Sequence, residues 1–191
     1  MALVLTSGPP LEPVTVAEAK AHCRVDGTAE DTLIASLILT SRLHVETALG
    51  LALITQSWRL LLDCWPAAKD FELPLRPLQT IDEVRVLSAA GDPTIIAAGD
   101  YLADAASTPP RLVRTGVIWK QPGQVANGIE IDFTAGYGDA AADVPAPIRQ
   151  AVLLLIAHWY EHRDPIDVGS SETIIPAVVS DLLAPYRLPR L

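Results

Sequence analysis

The sequence predicts an α+β fold: a small bundle of about four helices carrying an inserted antiparallel β-sheet or sandwich. Three observations predict it. Apolar residues recur at helical spacing in both end regions of the chain, whereas the middle switches to short runs with period-two alternation. Prolines and glycines punctuate that middle region at the intervals expected of short strands. Half of the 191 residues are hydrophobic, enough for a substantial core. The expected organisation is an N-terminal arm with the first bundle helices over residues 1–53, the β insertion over 54–136, and C-terminal bundle helices with an extended tail over 137–191.

Met1 to Pro13 is apolar but broken by Gly8, Pro9, Pro10 and Pro13, and predicts an extended arm. Thr15-Val16-Ala17-Glu18 has capping-box spacing, in which the hydroxyl reaches the N3 amide and the carboxylate reaches back. It opens a short helix to about Arg24. Thr28 to Asp31 offers a second helix start with acidic residues in its first turn. Leu33, Ile34, Leu37, Ile38, Ser41, Val45, Ala48 and Leu49 continue at helical spacing to Gly50, a candidate C′ glycine.

Strands are expected over Thr55–Cys64, Asp70–Leu73, Thr80–Leu87, Thr94–Ile96, Leu112–Val113, Val117–Trp119 and Gly128–Thr134. Alternation is clearest in Ile81 to Val86 and Ile129 to Phe133. The strongest helix signal spans Val144 to Arg163. Pro145 and Pro147 suit a helix start, where a missing N–H has no partner to lose. Ile148, Val152, Leu155, Ile156, Trp159 and Tyr160 share one broad sector at about 100° per residue. Gln150, His158, Glu161 and His162 form a polar stripe, into which Ala151 and Leu154 project. Asp164-Pro165 stops the helix, Gly169-Ser170-Ser171 predicts a loop, and Pro176 to Leu183 a last short helix. The end, Ala184 to Leu191, is an extended, basic, apolar tail on an otherwise acidic chain.

Composition narrows the function. The longest apolar block, Ala151 to Ala157, is far short of the roughly 20 residues that span a bilayer. The N-terminus has neither the basic nor the long apolar region of a secretory signal, so a cytoplasmically made protein that does not act at a membrane is expected. Cys23 and Cys64 form no C-x-x-C pair and are expected as buried free thiols. A formal net charge of −9 opposes a phosphate-gripping surface, so DNA near this protein would slide past. Core anchoring is the expectation for Trp58, Trp65, Trp119 and Trp159.

One motif suggests catalysis. His158-Trp159-Tyr160-Glu161-His162 has the H-x-x-E-H order of inverted zincins, and histidines four apart on a helix point the same way. A hydrolytic zinc site also needs a third protein ligand and an open position for water. Downstream, only Glu172 is available as a glutamate, in an expected loop. The alternative is that His158 and His162 simply lie on a polar face. Gly136-Tyr137-Gly138-Asp139 fails the G-x-G-x-x-G spacing, because position 141 is Ala, and predicts a strand-to-helix turn. A third reading is a carbohydrate- or protein-binding β module, which exposed aromatic residues on the insertion would support.

Several blocks in order carry a family resemblance: Pro13 to Lys20, Asp26 with Glu30-Asp31 and Leu33-Ile34, Leu53 to Gln56, Phe133 to Gly138, Val144 to Ala151, and His158 to Glu161. Together they resemble the head-tail connector (adaptor) proteins of long-tailed bacteriophages, and the composition is similar to that of prophage-derived gene transfer agents. The resemblance implies a non-enzymatic subunit of a dodecameric ring in the neck of a virion or gene-transfer-agent particle, assembled in the bacterial cytoplasm. Such a ring sits beneath the portal protein and extends the DNA channel toward the stopper and tail, without binding DNA specifically and without a cofactor. It further implies a portal-docking tail, Tyr186, Arg187, Leu188, Pro189, Arg190 and Leu191, and a subunit interface using Arg149, Leu154, His158, Glu161 and Arg163. His162 replaces the Asn-like residue usual in the family, which makes the zinc pattern look accidental.

Overall fold

A computed structural model of the chain describes residues 1–116, 118–162 and 176–188. It has the expected α+β class, with four α-helices and two antiparallel sheets among the described residues. The chain divides into two compact units, Met1–Pro10 with Thr55–Tyr137, and Leu11–Ile54 with Gly138–Leu191.

The first unit is the β region. Its strands are β1 (Ala2–Ser7), β2 (Gln56–Leu62), β3 (Asp70–Glu72), β4 (Leu78–Leu87), β5 (Pro93–Ile95), β6 (Tyr101–Asp104), β7 (Arg111–Arg114) and β8 (Ile129–Ala135). The larger sheet has the order β1-β2-β8-β4-β5 and the smaller β3-β7-β6. In β8 the alternation seen in the sequence becomes a clean division of faces: Ile129, Ile131, Phe133 and Ala135 are buried, while Glu130, Asp132 and Thr134 look the other way. The flanking strands match that division in register, since Leu60 and Val84 both pair with Ile131, and Arg59 pairs with Asp132. A one-residue slip would turn the whole buried row to solvent, so this register is strongly specified.

Four expectations need correction here. The extended N-terminal arm is also a strand, because Ala2 to Ser7 pairs antiparallel with β2. Its pairing partner begins more than fifty residues later, so local sequence could not reveal the ladder. β6 was not anticipated; Tyr101-Leu102-Ala103-Asp104 has too little apolar alternation to stand out. No strand forms at Ile118 and Trp119, and Val117 lies outside the described residues. Instead Trp119 is buried edge-on against Trp65 at 4.5 Å and against Tyr101 at 6.3 Å, so the apolar run reflects aromatic packing and not a ladder. Finally, the two thiols are free but not buried: Cys23 is half-buried and Cys64 exposed.

The second unit is helical: α1 (Val16–Cys23), α2 (Asp31–Leu49), α3 (Ala146–Glu161) and α4 (Ala177–Leu183). The capping box is present, Thr15 Oγ1 accepting from the Glu18 amide at 3.2 Å and Glu18 accepting from the Thr15 amide at 2.8 Å. Thr15 and Arg149 outweigh partial burial and hold the Glu18 carboxyl below the usual carboxylate range. Helix α2 starts without a side-chain cap and ends at Gly50, whose φ of 63° is the left-handed conformation glycine adopts at least cost. Ile34, Ile38, Ser41, Val45 and Leu49 of α2 and Ile148, Val152, Leu155 and Ile156 of α3 are buried. Leu33 and Ala48, placed on the same periodic face from sequence, are exposed. The expected loop at Gly169 to Ser171 lies outside the described residues.

Candidate interaction surface

Helix α3 follows the Gly136 turn and is preceded by Pro145 at its N-cap. Asp143, just upstream, accepts a hydrogen bond from the Ala140 amide at 2.9 Å and so closes the turn before the helix. Four residues of the predicted core sector are buried, whereas Trp159 and Tyr160 are half-buried. Both anchor the helix to other parts of the bundle: Trp159 meets His44 of α2 edge-on at 5.7 Å, and the Tyr160 hydroxyl donates to Glu30. Ala151 does not lie in the polar stripe; it is fully buried.

The stripe itself is a mixed surface. Leu154 and His158 are half-buried, and Glu161 and His162 are exposed. The imidazoles of His158 and His162 lie 4.6 Å apart between centroids. The His162 Nδ1 atom sits 2.8 Å from the His158 carbonyl oxygen, and the His162 amide donates to the same oxygen at 3.0 Å, ending the helix. Among the described residues, no group of three or more His, Cys, Asp or Glu side chains could hold a metal ion. Burial, and then the charge of Glu161, push the Cys23 thiol up, so it stays protonated and poorly nucleophilic.

Arg149 is committed inside the subunit. Its Nε donates to the Pro13 carbonyl at 3.0 Å and its Nη2 to Glu18, tying the end of the arm and the α1 capping box to α3. A further tie, not anticipated from sequence, joins the arm to α2. Arg42 donates to Glu12 at 2.7 Å and to Glu46 at 2.8 Å, and Glu46 in turn accepts from the Leu53 amide at 2.9 Å. Arg42 and Glu46 are both buried, so removing either partner would leave the other desolvated and short of a compensating contact. The only sequence signal was an Arg and a Glu four apart on the core side of a helical pattern.

The predicted tail begins where α4 runs into a 3-10 turn over Ala184–Tyr186. Tyr186 is half-buried, and Arg187 and Leu188 are exposed. Arg163, Pro189, Arg190 and Leu191 lie outside the described residues.

On the β unit, the outward face of the larger sheet carries an ionic ladder. Arg59 Nε reaches Asp132 at 2.6 Å, and Arg85 pairs with the other Asp132 oxygen and with Glu83. Burial would raise the Asp132 carboxyl, but Arg59 and Arg85 outweigh it and hold it below its ordinary value. None of the aromatic residues of this unit is exposed: Trp58, Phe71, Tyr101 and Tyr137 are half-buried and Trp65, Trp119 and Phe133 buried. The exposed aromatic residues that would have supported the β-module reading are therefore not found on this unit.

The helical unit has a closed core and a mixed stripe along α3, and the larger sheet of the β unit has a charged outer face; the stripe and that face are each a surface suited to interaction. The chain belongs to the head completion protein family, whose sequence model matches residues 12–187. Among solved structures, it is similar to a chain in the neck of an empty gene transfer agent particle computed with C6 symmetry, at 30% identity and a TM-score of 0.82, covering 100% of this chain and 97% of that one. A chain in the virion of a native gene transfer agent particle matches with the same identity, TM-score and coverage. The neck of the native particle computed with C12 symmetry gives 29% identity and a TM-score of 0.81, again over 100% and 97% of the two chains. The comparison with curated proteins found no match. Family membership makes this a structural component and leaves the zinc-hydrolase alternative at His158, Glu161 and His162 without support.

Proposed function

We propose that this chain is a head-tail connector subunit, present in twelve copies as a ring in the neck of a virion or gene transfer agent particle. The observation that carries this reading is the end-to-end likeness to a neck chain, at 30% identity over the whole of this sequence. The ring sits beneath the portal protein, is followed by a stopper on the tail side, and lets DNA pass through its channel. A net charge of −9 suits a passage that repels phosphates and leaves DNA mobile.

Residues Tyr186 to Leu191 dock on the portal, combining an aromatic residue, two leucines and two arginines in a short terminal segment. Arg149, Leu154, His158, Glu161 and Arg163 contribute to contact between neighbouring copies. For Arg149 the contribution is indirect, since its guanidinium holds the arm and α1 in place beside the stripe.

Mixing the purified chain with its portal and imaging the complex tests the proposal. A twelvefold ring on the portal is expected. Removing 186–191 should abolish docking with the fold intact, and charge reversal at Glu161 should impair ring closure while the monomer still folds. An undocked parent chain would overturn the connector reading, and a truncated chain that docks normally would overturn the role of the tail.

A further inference from the structure

Helix α2 is inverted relative to an ordinary surface helix. Its paired charges, Arg42 and Glu46, are buried, whereas Leu39 and Leu43 are 43% and 49% exposed. The outward sector reads Thr32, Ser36, Leu39, Leu43 and Thr47, all exposed and none charged, in a chain whose charged fraction is 19%. A solvated helix face normally carries charged residues. Depletion of charge around a few large apolar side chains is instead the compositional mark of an interface centre. Alongside Ala35 the face continues into an apolar groove of about 250 Å³, whose walls include Leu11, Val14, Val16 and Ile38.

A closed ring of identical copies needs a heterologous contact, in which two different surfaces of the same subunit meet. The α3 stripe supplies one. At about 100° per residue, the outward sector lies about 140° from the buried one on α2, and the stripe about 115° from the buried sector on α3. The two helices pack on each other from their inner sides, where His44 meets Trp159. The outer face of α2 and the α3 stripe are therefore two different surfaces of one subunit, as head-to-tail contact demands. In the α3 stripe Leu154 is half-buried, and half-buried Leu153 and Ala157 flank it, an apolar patch that matches the uncharged surface around Leu39 and Leu43.

We infer that the outer face of α2, centred on Leu39 and Leu43, is the second half of the ring contact, and that its occupant is the α3 stripe of the next copy of this chain. This rests on the ring reading above and identifies the surface that the ring requires. The contact excludes water from Leu39 and Leu43, and the buried Arg42 and Glu46 keep the outer sector free of charge.

The test uses the full chain assembled on its portal. With Cys23 and Cys64 replaced by Ser, the L43C/L154C variant should give a ladder of crosslinked oligomers with a short bis-maleimide, and neither L43C nor L154C alone should do so. The L39E/L43E variant, checked for fold by circular dichroism, should lower ring occupancy by roughly tenfold or more. Parent rings that form while L43C/L154C gives no ladder and L39E/L43E assembles normally would overturn this inference and leave the ring reading standing. Dimers from L43C alone would overturn the head-to-tail arrangement. A parent chain that forms no ring would remove both.

Discussion

Single residues in this protein act chiefly as ties between segments distant in sequence. Arg42 bonds Glu12, thirty positions earlier, and Arg149 bonds the Pro13 carbonyl, 136 positions away. Asp104 is the clearest case of a charge set by its neighbours. Ser107, which donates to it through hydroxyl and amide, and then Arg111 hold its carboxyl down at about 2. A carboxyl depressed in the folded state contributes stability above its unfolded value of 3.8 and loses it as pH falls through about 2. The D104N variant should therefore be less stable than the parent at pH 5 and show a smaller deficit at pH 2, as read by thermal unfolding across that range. An identical loss at both pH values would show that the ionised form makes no contribution.

At the scale of elements, legibility followed locality. The capping box, the glycine end of α2, and the alternation of β8 are each written within a few residues, and each formed where the spacing placed it. The T15A variant should cost about 1 kcal/mol in denaturant unfolding, because it orphans the Glu18 amide, while T15S should be close to neutral. The same locality explains the misses. β6 is four residues with little alternation and exists because β7 lies beside it. The α2 face was read only for its apolar period, which captured the core but assigned Leu33 and Ala48 to it wrongly. The exposed leucines on the other side carry no signal in a search for the core.

For the molecule as a whole, β8 is the centre of the larger sheet, and the N-terminal strand β1 closes one side of it by covering β2. An uncovered β2 would present a row of free amides and carbonyls to other chains. Deleting residues 2–7 should lower the melting temperature and raise light scattering on heating, with the helical signal at low temperature retained. A deletion variant that melts and scatters like the parent would show that β1 does not protect the edge.

The candidate site divides in the same way. The α3 stripe, apart from Ala151, could be read from periodicity, because a helix presents residues three and four apart on one face wherever it sits. The α+β class, the capping box of α1, the glycine end of α2, the buried sector of α3 and the acidic balance were determined by the sequence alone, since each depends on neighbours within a few positions or on totals. The pairing of the arm with β2, the burial of Arg42 with Glu12 and Glu46, the inward commitment of Arg149, and the contrast between a charged interior pair and an uncharged outer face on α2 were decided only by tertiary structure. Those features depend on which distant segments meet, and desolvation acts on a residue through its surroundings in space, not through its place in the chain.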